Sequence, residues 1–195
     1  QKEFGNIRAV LDWVTSTGHC ITIGQQIVIT IGVLWVTNGH ITEGEQWCIQ
    51  IMSLSDEITP ITIRAGLLSV SAWIAWARGD QPSAQNYADE SLELYRSINN
   101  MTIEEKQAYA EAIIARGVLA SAARDLTLAK EMFQQSIELV RQTKDKWYEA
   151  LAISWLGDVA VYENDRQRAS ALHNQSIRLA RQLGDPWCLM PSLMP

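Results

Sequence analysis

Small residues recur along this chain at intervals of about forty positions, in two linked series. The first series is Gly32, Ala72, Gly117 and Gly157. The second series lies twelve residues later in each case and is Gly44, Ala84, Ala129 and Ala169. Two helices can approach closely only where side chains are short. A pair of small residues that returns with a fixed period therefore predicts a helical hairpin that is itself repeated.

This recurrence predicts an all-α, right-handed α-solenoid of about four helical hairpins, with a period of about 40 residues. We expect a single domain over residues 1–195, and its units are expected at approximately 5–55, 60–98, 102–143 and 146–184. Residues 185–195 are then the truncated start of a further unit or a tail. Because the open end of a solenoid exposes an apolar face, we predict self-association through the C-terminal end around Trp187.

Residues 20–38 are the segment whose sequence agrees least with this prediction. The segment is rich in isoleucine, valine and threonine, and β-branched residues favour strands. Its length argues for a helix, because a strand rarely runs so far without a turn. Gly32 also lies where the other units carry a helical small residue. We therefore expect residues 20–38 to be helical.

Two sequences have the pattern of a helix-capping box, in which a threonine is followed three residues later by glutamate. Thr42 with Glu45 predicts the start of one helix, and Thr102 with Glu105 predicts the start of another. Between the helices of each hairpin we expect turns at Gly39-His40, Gly79-Asp80, Arg124-Asp125 and Asn164-Asp165.

The composition excludes several classes of function. The chain has 195 residues with 47% hydrophobic residues, which is enough for a core, and its net charge is −6. An acidic chain is poorly suited to neutralising phosphates, so we predict no direct nucleic-acid contact by this segment. No apolar run is long enough to cross a bilayer, and we predict no membrane partner. The three cysteines form no Cys-x-x-Cys pair, which favours a reduced, cytoplasmic location.

The spacing of residues within the units resembles that of tetratricopeptide (TPR) repeats. That family places small residues where its two helices meet and a bulky apolar residue between them on the second helix. The matching sets are Gly117, Ala129, Phe133 and Ser136, then Gly157, Ala169, His173 and Ser176, then Ala72, Ala84, Ala88 and Ser91. The proline that the family carries after the second helix is missing, and the period exceeds the family's usual 34. The chain therefore resembles a divergent TPR-like domain.

The N-terminal part resembles the sensor arm of bacterial STAND ATPases and of LuxR-type, maltotriose-activator-like transcription regulators. The residues that carry this resemblance are residues 3–13 (EFGNIRAVLDW), 39–47 (GHITEGEQW), 76–80 (WARGD) and 183–185 (LGD). The resemblance implies that the chain is a segment of a longer bacterial regulator, and the absence of an initial methionine fits that expectation. By resemblance, such an arm accepts a small inducer or a protein partner and passes the event to an ATPase core.

Motifs for chemistry are missing from the sequence. It contains no Gly-x-x-x-x-Gly-Lys-Ser/Thr loop, no Gly-x-Gly-x-x-Gly and no His-Glu-x-x-His. We therefore predict no catalytic residue, no metal site and no cofactor. His173 stands where the matching units carry Ala88 and Phe133, so we expect a partly buried histidine in the helix packing rather than a ligand or base.

Eight tryptophans are the most unusual feature of the composition. Four of them lie on apolar faces and are expected in the core: Trp13, Trp35, Trp47 and Trp155. Trp73 and Trp76 are three residues apart, so they share one face of a helix. Counted from Ala72, that face points towards the concave groove that the first helices of the hairpins would line.

The same face in other units carries Ser121, Asp158 and Val161. The predicted binding residues of the concave groove are therefore Trp73, Trp76, Ser121, Asp158 and Val161. Aromatic side chains in a groove are typical of sites for small molecules or peptides. The alternative for the two tryptophans is that they pack against the first helix of the neighbouring repeat.

The function predicted from these features is binding without catalysis. The first hypothesis is a sensor or scaffold domain of a bacterial signal-transduction or transcription regulator, with a protein, a peptide or a small-molecule effector in its groove. Binding would then bias the state of an attached module. The second hypothesis is a stand-alone scaffold that docks a helix or an extended peptide and mediates protein–protein interaction.

Overall fold

The computed structural model describes residues 2–184, and the side chains of residues 4–184. Within that range the chain is built from α-helices joined by short turns, and it contains no strand. The helices are α1 (Lys2–Thr17), α2 (Ile21–Thr37), α3 (Ile41–Ser53), α4 (Ile61–Ala77), α5 (Gln81–Arg96), α6 (Ile103–Ala122), α7 (Leu126–Thr143), α8 (Lys146–Tyr162) and α9 (Arg166–Leu183).

The described helices fall into two compact units that meet at Asn99 and Asn100 in the sequence. In the N-terminal unit, α2 pairs with α3 and α4 pairs with α5, while α1 packs against both α2 and α3. In the C-terminal unit, α6 pairs with α7, α8 pairs with α9, and α7 packs on α8. A single domain over residues 1–195 stays a prediction, and the self-association predicted around Trp187 lies outside the described residues.

Helix α2 confirms the expectation for the isoleucine-rich segment. It runs without interruption from Ile21 to Thr37. A Cβ atom on Gly32 would overlap the side chain of Val70 on α4, and a Cβ atom on Gly24 would lie 2.9 Å from Val14 on α1. The glycines therefore allow three helices to approach closely, and this packing outweighs the strand preference of the β-branched residues.

The two hairpins of the C-terminal unit place an aromatic ring against a glycine at the same position. A Cβ atom on Gly117 would lie 2.7 Å from the ring of Phe133, and one on Gly157 would lie 2.7 Å from the ring of His173. In the hairpin of α4 and α5 the equivalent residues are Ala72 and Ala88, both buried.

A buried serine ties the two helices together in three of the four hairpins. The Oγ atom of Ser91 donates to the carbonyl of Ala65 at 2.8 Å. Ser136 and Ser176 make the same bond to the carbonyls of Ala110 (3.1 Å) and Ala150 (2.8 Å). Each pair is 26 residues apart. The bond is therefore part of the repeat itself.

The turn inside these three hairpins repeats as well. A residue with positive φ is followed by an aspartate that caps the second helix: Gly79 precedes Asp80, Arg124 precedes Asp125, and Asn164 precedes Asp165. Each aspartate accepts a hydrogen bond from a backbone N–H three residues later. The predicted turns are confirmed at these positions.

The capping boxes predicted from the sequence have opposite outcomes. Thr102 and Glu105 form both reciprocal bonds of a capping box at the start of α6, as predicted. The box predicted at Thr42 is wrong, because α3 begins at Ile41 and its N-cap is His40. The backbone N–H of His40 donates to the carbonyl of Trp35 at 2.8 Å, which fixes the turn two residues too early for Thr42 to cap the helix.

The core of the N-terminal unit forms where α1 to α4 meet. It includes Val28, Trp35, Trp47 and Ile51. Cys48 belongs to this core, and burial raises the pKa of its thiol to about 12. The expectation that Trp13 is buried is wrong: the side chain is 48% exposed on α1. None of the helices in the described range combines the length and the apolar character that crossing a membrane requires.

Candidate functional site

Trp73 and Trp76 form an aromatic pair on one side of α4. Their ring centroids are 5.7 Å apart and the rings meet edge to face at 79°. Both side chains are half-buried, while Ala72 and Ala75 beside them are buried. The pair therefore presents a partly exposed aromatic surface, which we call the aromatic face of α4.

The other three predicted site residues lie in the C-terminal unit. Ser121 is buried near the end of α6, so it offers little surface to a ligand. Asp158 and Val161 lie one turn apart on α8, where Asp158 is half-buried and Val161 is exposed. The structure thus places the five residues as one pair on α4, one pair on α8 and a buried serine. A single groove that joins them stays a prediction.

Asp158 has a close titratable neighbour in His173 of α9. The Oδ1 atom of Asp158 lies 3.5 Å from Nε2 of His173. Burial raises the pKa of Asp158 to about 7, and it lowers the pKa of His173. Asp158 therefore changes charge near neutral pH. The prediction that His173 packs between helices agrees with its position against Gly157.

The remaining buried carboxylates of the C-terminal unit have structural partners. The hydroxyl of Tyr148 donates to Glu111 at 2.7 Å, and burial raises the pKa of Glu111 against this bond. Burial would also raise the pKa of Glu149, but hydrogen bonds from Lys146 and Arg141 hold it below its usual value. Among the described residues, no three histidine, cysteine or acidic side chains are arranged to hold a metal ion.

Two clefts open on the opposite side of α4 from the aromatic face. The first cleft has a volume of about 410 Å³ and is lined by residues that include Met52, Asp56, Glu57, Arg64, Leu67 and Glu90. Helix α3 has only 13 residues and ends at Ser53, before the residues of the following loop that line this cleft. The loop that follows α3 therefore forms one side of the cleft, and Glu90 of α5 lies in its lining as well.

The second cleft has a volume of about 220 Å³ and lies next to the first, since Met52 lines both. Its walls are one face of α3 and one face of α5, and its residues include Glu45, Ile49, Ile74, Arg78 and Tyr87. None of the five predicted site residues lines either cleft. The sequence analysis did not identify either cleft, because each one depends on how α3, α4 and α5 pack together.

Comparisons with other proteins show the fold and leave the family open. No known protein family matches the sequence, and no curated protein matches it either. The chain is similar in structure to BtubC (BKLC) from P. vanneervenii, with a TM-score of 0.72 and 16% identity over 94% of this chain and 77% of that chain.

Two Rap proteins are similar at the same level. A Rap protein complexed with competence and sporulation factor has a TM-score of 0.75 and 11% identity, and the match covers 94% of this chain and half (50%) of that one. The apo form of RapI has a TM-score of 0.69 and 11% identity over 86% of this chain and 60% of RapI.

The TPR-like repeats of a protein described as a kinesin light chain of Podosopora anserina match with a TM-score of 0.53 and 12% identity. That match covers 93% of this chain and 96% of the other. The predicted all-α, TPR-like solenoid class is therefore confirmed. At these identities the likeness carries the fold alone, and the relationship to STAND or LuxR-type sensor arms stays a prediction.

Proposed function

We propose that this chain is a non-catalytic binding module, the sensor or scaffold domain of a bacterial signal-transduction or transcription regulator. The observation that carries the proposal is the aromatic face of α4, where Trp73 and Trp76 stay partly exposed on a helical-repeat scaffold. Partly exposed tryptophans that contact each other supply a rigid contact area at a low cost in side-chain entropy.

The fold supports this proposal. One structural neighbour, the Rap protein, was solved in a complex with competence and sporulation factor. A TPR-like scaffold of this kind can therefore hold a partner. The resemblance of residues 3–13 and 39–47 to sensor arms adds the regulatory context. Binding of an effector would shift the population of an attached output module.

The proposal is tested by titrating the protein with candidate metabolites in a calorimeter and by measuring retention of partner proteins on the immobilised chain. We expect a ligand or partner whose binding is weakened at least about tenfold in Trp73→Ala or Trp76→Ala, since central aromatic contacts contribute about 2 kcal/mol or more. Trp13→Ala is the matched control, because Trp13 is an exposed tryptophan on a different helix of the same unit. Equal loss in all three variants would contradict the assignment to the aromatic face.

The same experiment separates the two hypotheses for the module. A small molecule that binds with a defined stoichiometry favours the sensor, whereas retention of a protein partner without any small effector favours the stand-alone peptide-docking scaffold. The circular dichroism spectrum and melting temperature of each variant show whether the helices remain folded.

A further inference from the structure

The two clefts lie next to each other on one face of α4 and share Met52, and together we call them the α3–α5 groove. Its floor is the face of α4 that carries Leu67, Ser71 and Ile74, and its walls are α3 and α5. Residues at this spacing lie on one side of a helix, and Trp73 and Trp76 lie on the other. The α3–α5 groove is therefore separate from the aromatic face.

We propose that the α3–α5 groove binds a short amphipathic segment of a partner protein, with apolar side chains on one face and lysine or arginine at its edges. This inference rests on the proposed binding function and adds a second surface and the chemistry of its occupant.

The length of the groove suits a peptide. The lining residues of α4 run from Arg64 to Arg78, which corresponds to about 21 Å at a rise of about 1.5 Å per residue. About six residues of extended chain, or about four turns of helix, cover this distance. Two neighbouring clefts provide separate places for two apolar side chains of one segment.

The groove offers apolar contacts that the protein leaves uncovered. Ile49 lines the second cleft and is 61% exposed. Met52 lies between the two clefts and is half-buried. Covering these side chains removes apolar surface from water and favours binding.

The charged side chains on the rim of the groove favour a positively charged occupant. The carboxylates of Glu57 and Glu90 are exposed and form no ion pair with another residue in the described part of the chain. Arg78 is already bound to Glu45. Arg64 is thus the one basic side chain of the described groove without an ionic partner. A segment with lysine or arginine at its edges would pair with the two glutamates, whereas an acidic segment would be repelled.

The test uses the whole chain and labelled peptides of about 14 residues, long enough to span the groove as a helix. The first probe has leucine at positions i, i+3, i+4 and i+7 and lysine elsewhere. The second has glutamate in place of lysine, and the third has serine in place of leucine. Fluorescence anisotropy at low and at high salt gives the dissociation constants.

The decisive variants remove groove contacts without touching the core. Glu57→Gln with Glu90→Gln is compared with Glu131→Gln and Glu138→Gln, which changes the net charge equally at two exposed sites on α7. Ile49→Ser is compared with Ile103→Ser, because the two isoleucines are exposed to a similar degree (61% and 59%).

We expect only the lysine–leucine peptide to bind, with the groove variants weakening it about three- to tenfold and the controls leaving it unchanged. Equal weakening by the α7 control, equal affinity for the glutamate peptide, or no binding of any probe would overturn the inference. Weakening by Trp73→Ala and not by the groove variants would also overturn it while leaving the proposed function in place. If no binding depends on Trp73 or Trp76 while the groove variants behave as expected, the site proposed on the aromatic face is wrong and the α3–α5 groove stands.

Discussion

Phe133 and His173 occupy the same position in the two hairpins of the C-terminal unit, and their surroundings differ. Phe133 is fully buried over Gly117 and stacks on Trp155, with ring centroids 6.4 Å apart. His173 lies over Gly157 with 22% of its side chain exposed and Asp158 beside it. The comparison teaches that a glycine on the first helix leaves room for a flat ring on the second, while the chemistry of that ring is free to vary.

The hairpin of α4 and α5 satisfies the same geometry with different volumes. It carries Ala72 in place of glycine and Ala88 in place of the ring. A methyl group on each helix thus replaces a ring on one helix and a bare backbone on the other. Because the two hairpins fill this space with different pairs of side chains, we predict that the residues at the two positions are energetically coupled.

The largest effect is expected from breaking the ring–glycine pair. Phe133→Ala leaves a cavity in the fully buried centre of the hairpin and should lower the free energy of unfolding by about 3–5 kcal/mol. Adding Gly117→Ala copies the α4–α5 solution and should restore at least about 1 kcal/mol of that loss. Urea unfolding of the four members of this cycle measures the coupling. A double variant as unstable as the sum of the single changes would show that the positions are independent.

The next largest effect is a dependence of stability on pH, which we expect in the hairpin that carries Asp158. The pKa of Asp158 is raised to about 7 in the folded state, against about 3.9 in an unfolded chain. The folded state therefore binds more protons between these values, and this group lowers stability as pH rises through the window. Asp158→Asn should remove that fall and gain about 1–2 kcal/mol relative to the native chain between pH 4 and pH 7.

The contribution of His173 to stability has the opposite pH dependence, so it must be measured separately from that of Asp158. Because its pKa is lowered, its contribution to stability rises as pH increases through the folded pKa towards the unfolded value. Urea midpoints at several pH values for Asp158→Asn, His173→Phe and the double variant separate the two slopes. Parallel stability curves for Asp158→Asn and the native chain would mean that the carboxyl is not buried as described.

A smaller effect is expected from the buried serine hydrogen bond that the two hairpins share. Ser136→Ala and Ser176→Ala each remove one buried hydrogen bond to a helix carbonyl, and each should cost about 1 kcal/mol. Ser97→Ala is the control, because Ser97 is exposed and bonds only within its own turn; it should change stability by less than about 0.5 kcal/mol. A cost in one hairpin and none in the other would show that the bond is not a common element of the repeat.

The smallest effect concerns the turns and should be stabilising. Asn164 and Arg124 both have positive φ, at 61° and 63°. Asn164→Gly should raise the free energy of unfolding by about 0.5–1 kcal/mol, because glycine adopts this conformation without steric cost. Arg124→Gly should gain less, since the guanidinium of Arg124 lies 4.3 Å from the centre of the Tyr162 ring and this contact is lost. Thermal melts of both variants make the comparison.

The regular part of this fold was predictable because its cause is local. The spacing of Gly117, Gly157 and their equivalents marks the close approach of paired helices, and an aspartate after each turn marks the start of the second helix. The same spacing correctly identified α2 as a helix. The capping box at Thr102 was predictable for the same reason, since all of its atoms lie within four consecutive residues.

The features that failed or stayed hidden depend on distant parts of the chain. The side chain of Glu45, expected in a box with Thr42, bonds to Arg78 on another helix. Trp13 has the spacing of a core residue, and its exposure depends on how α1 sits on α2 and α3. The α3–α5 groove depends on where α3 ends relative to α4 and α5, which no single stretch of sequence specifies.

The thiol of Cys48 has a practical consequence for experiments on the N-terminal unit. It is 3% exposed and its pKa is about 12, so at neutral pH it is protonated and screened from alkylating reagents. Iodoacetamide can modify it only during transient opening of the helices around it. The rate of that modification, read by mass spectrometry, would report how often the unit opens, and a ligand that holds these helices together would slow it.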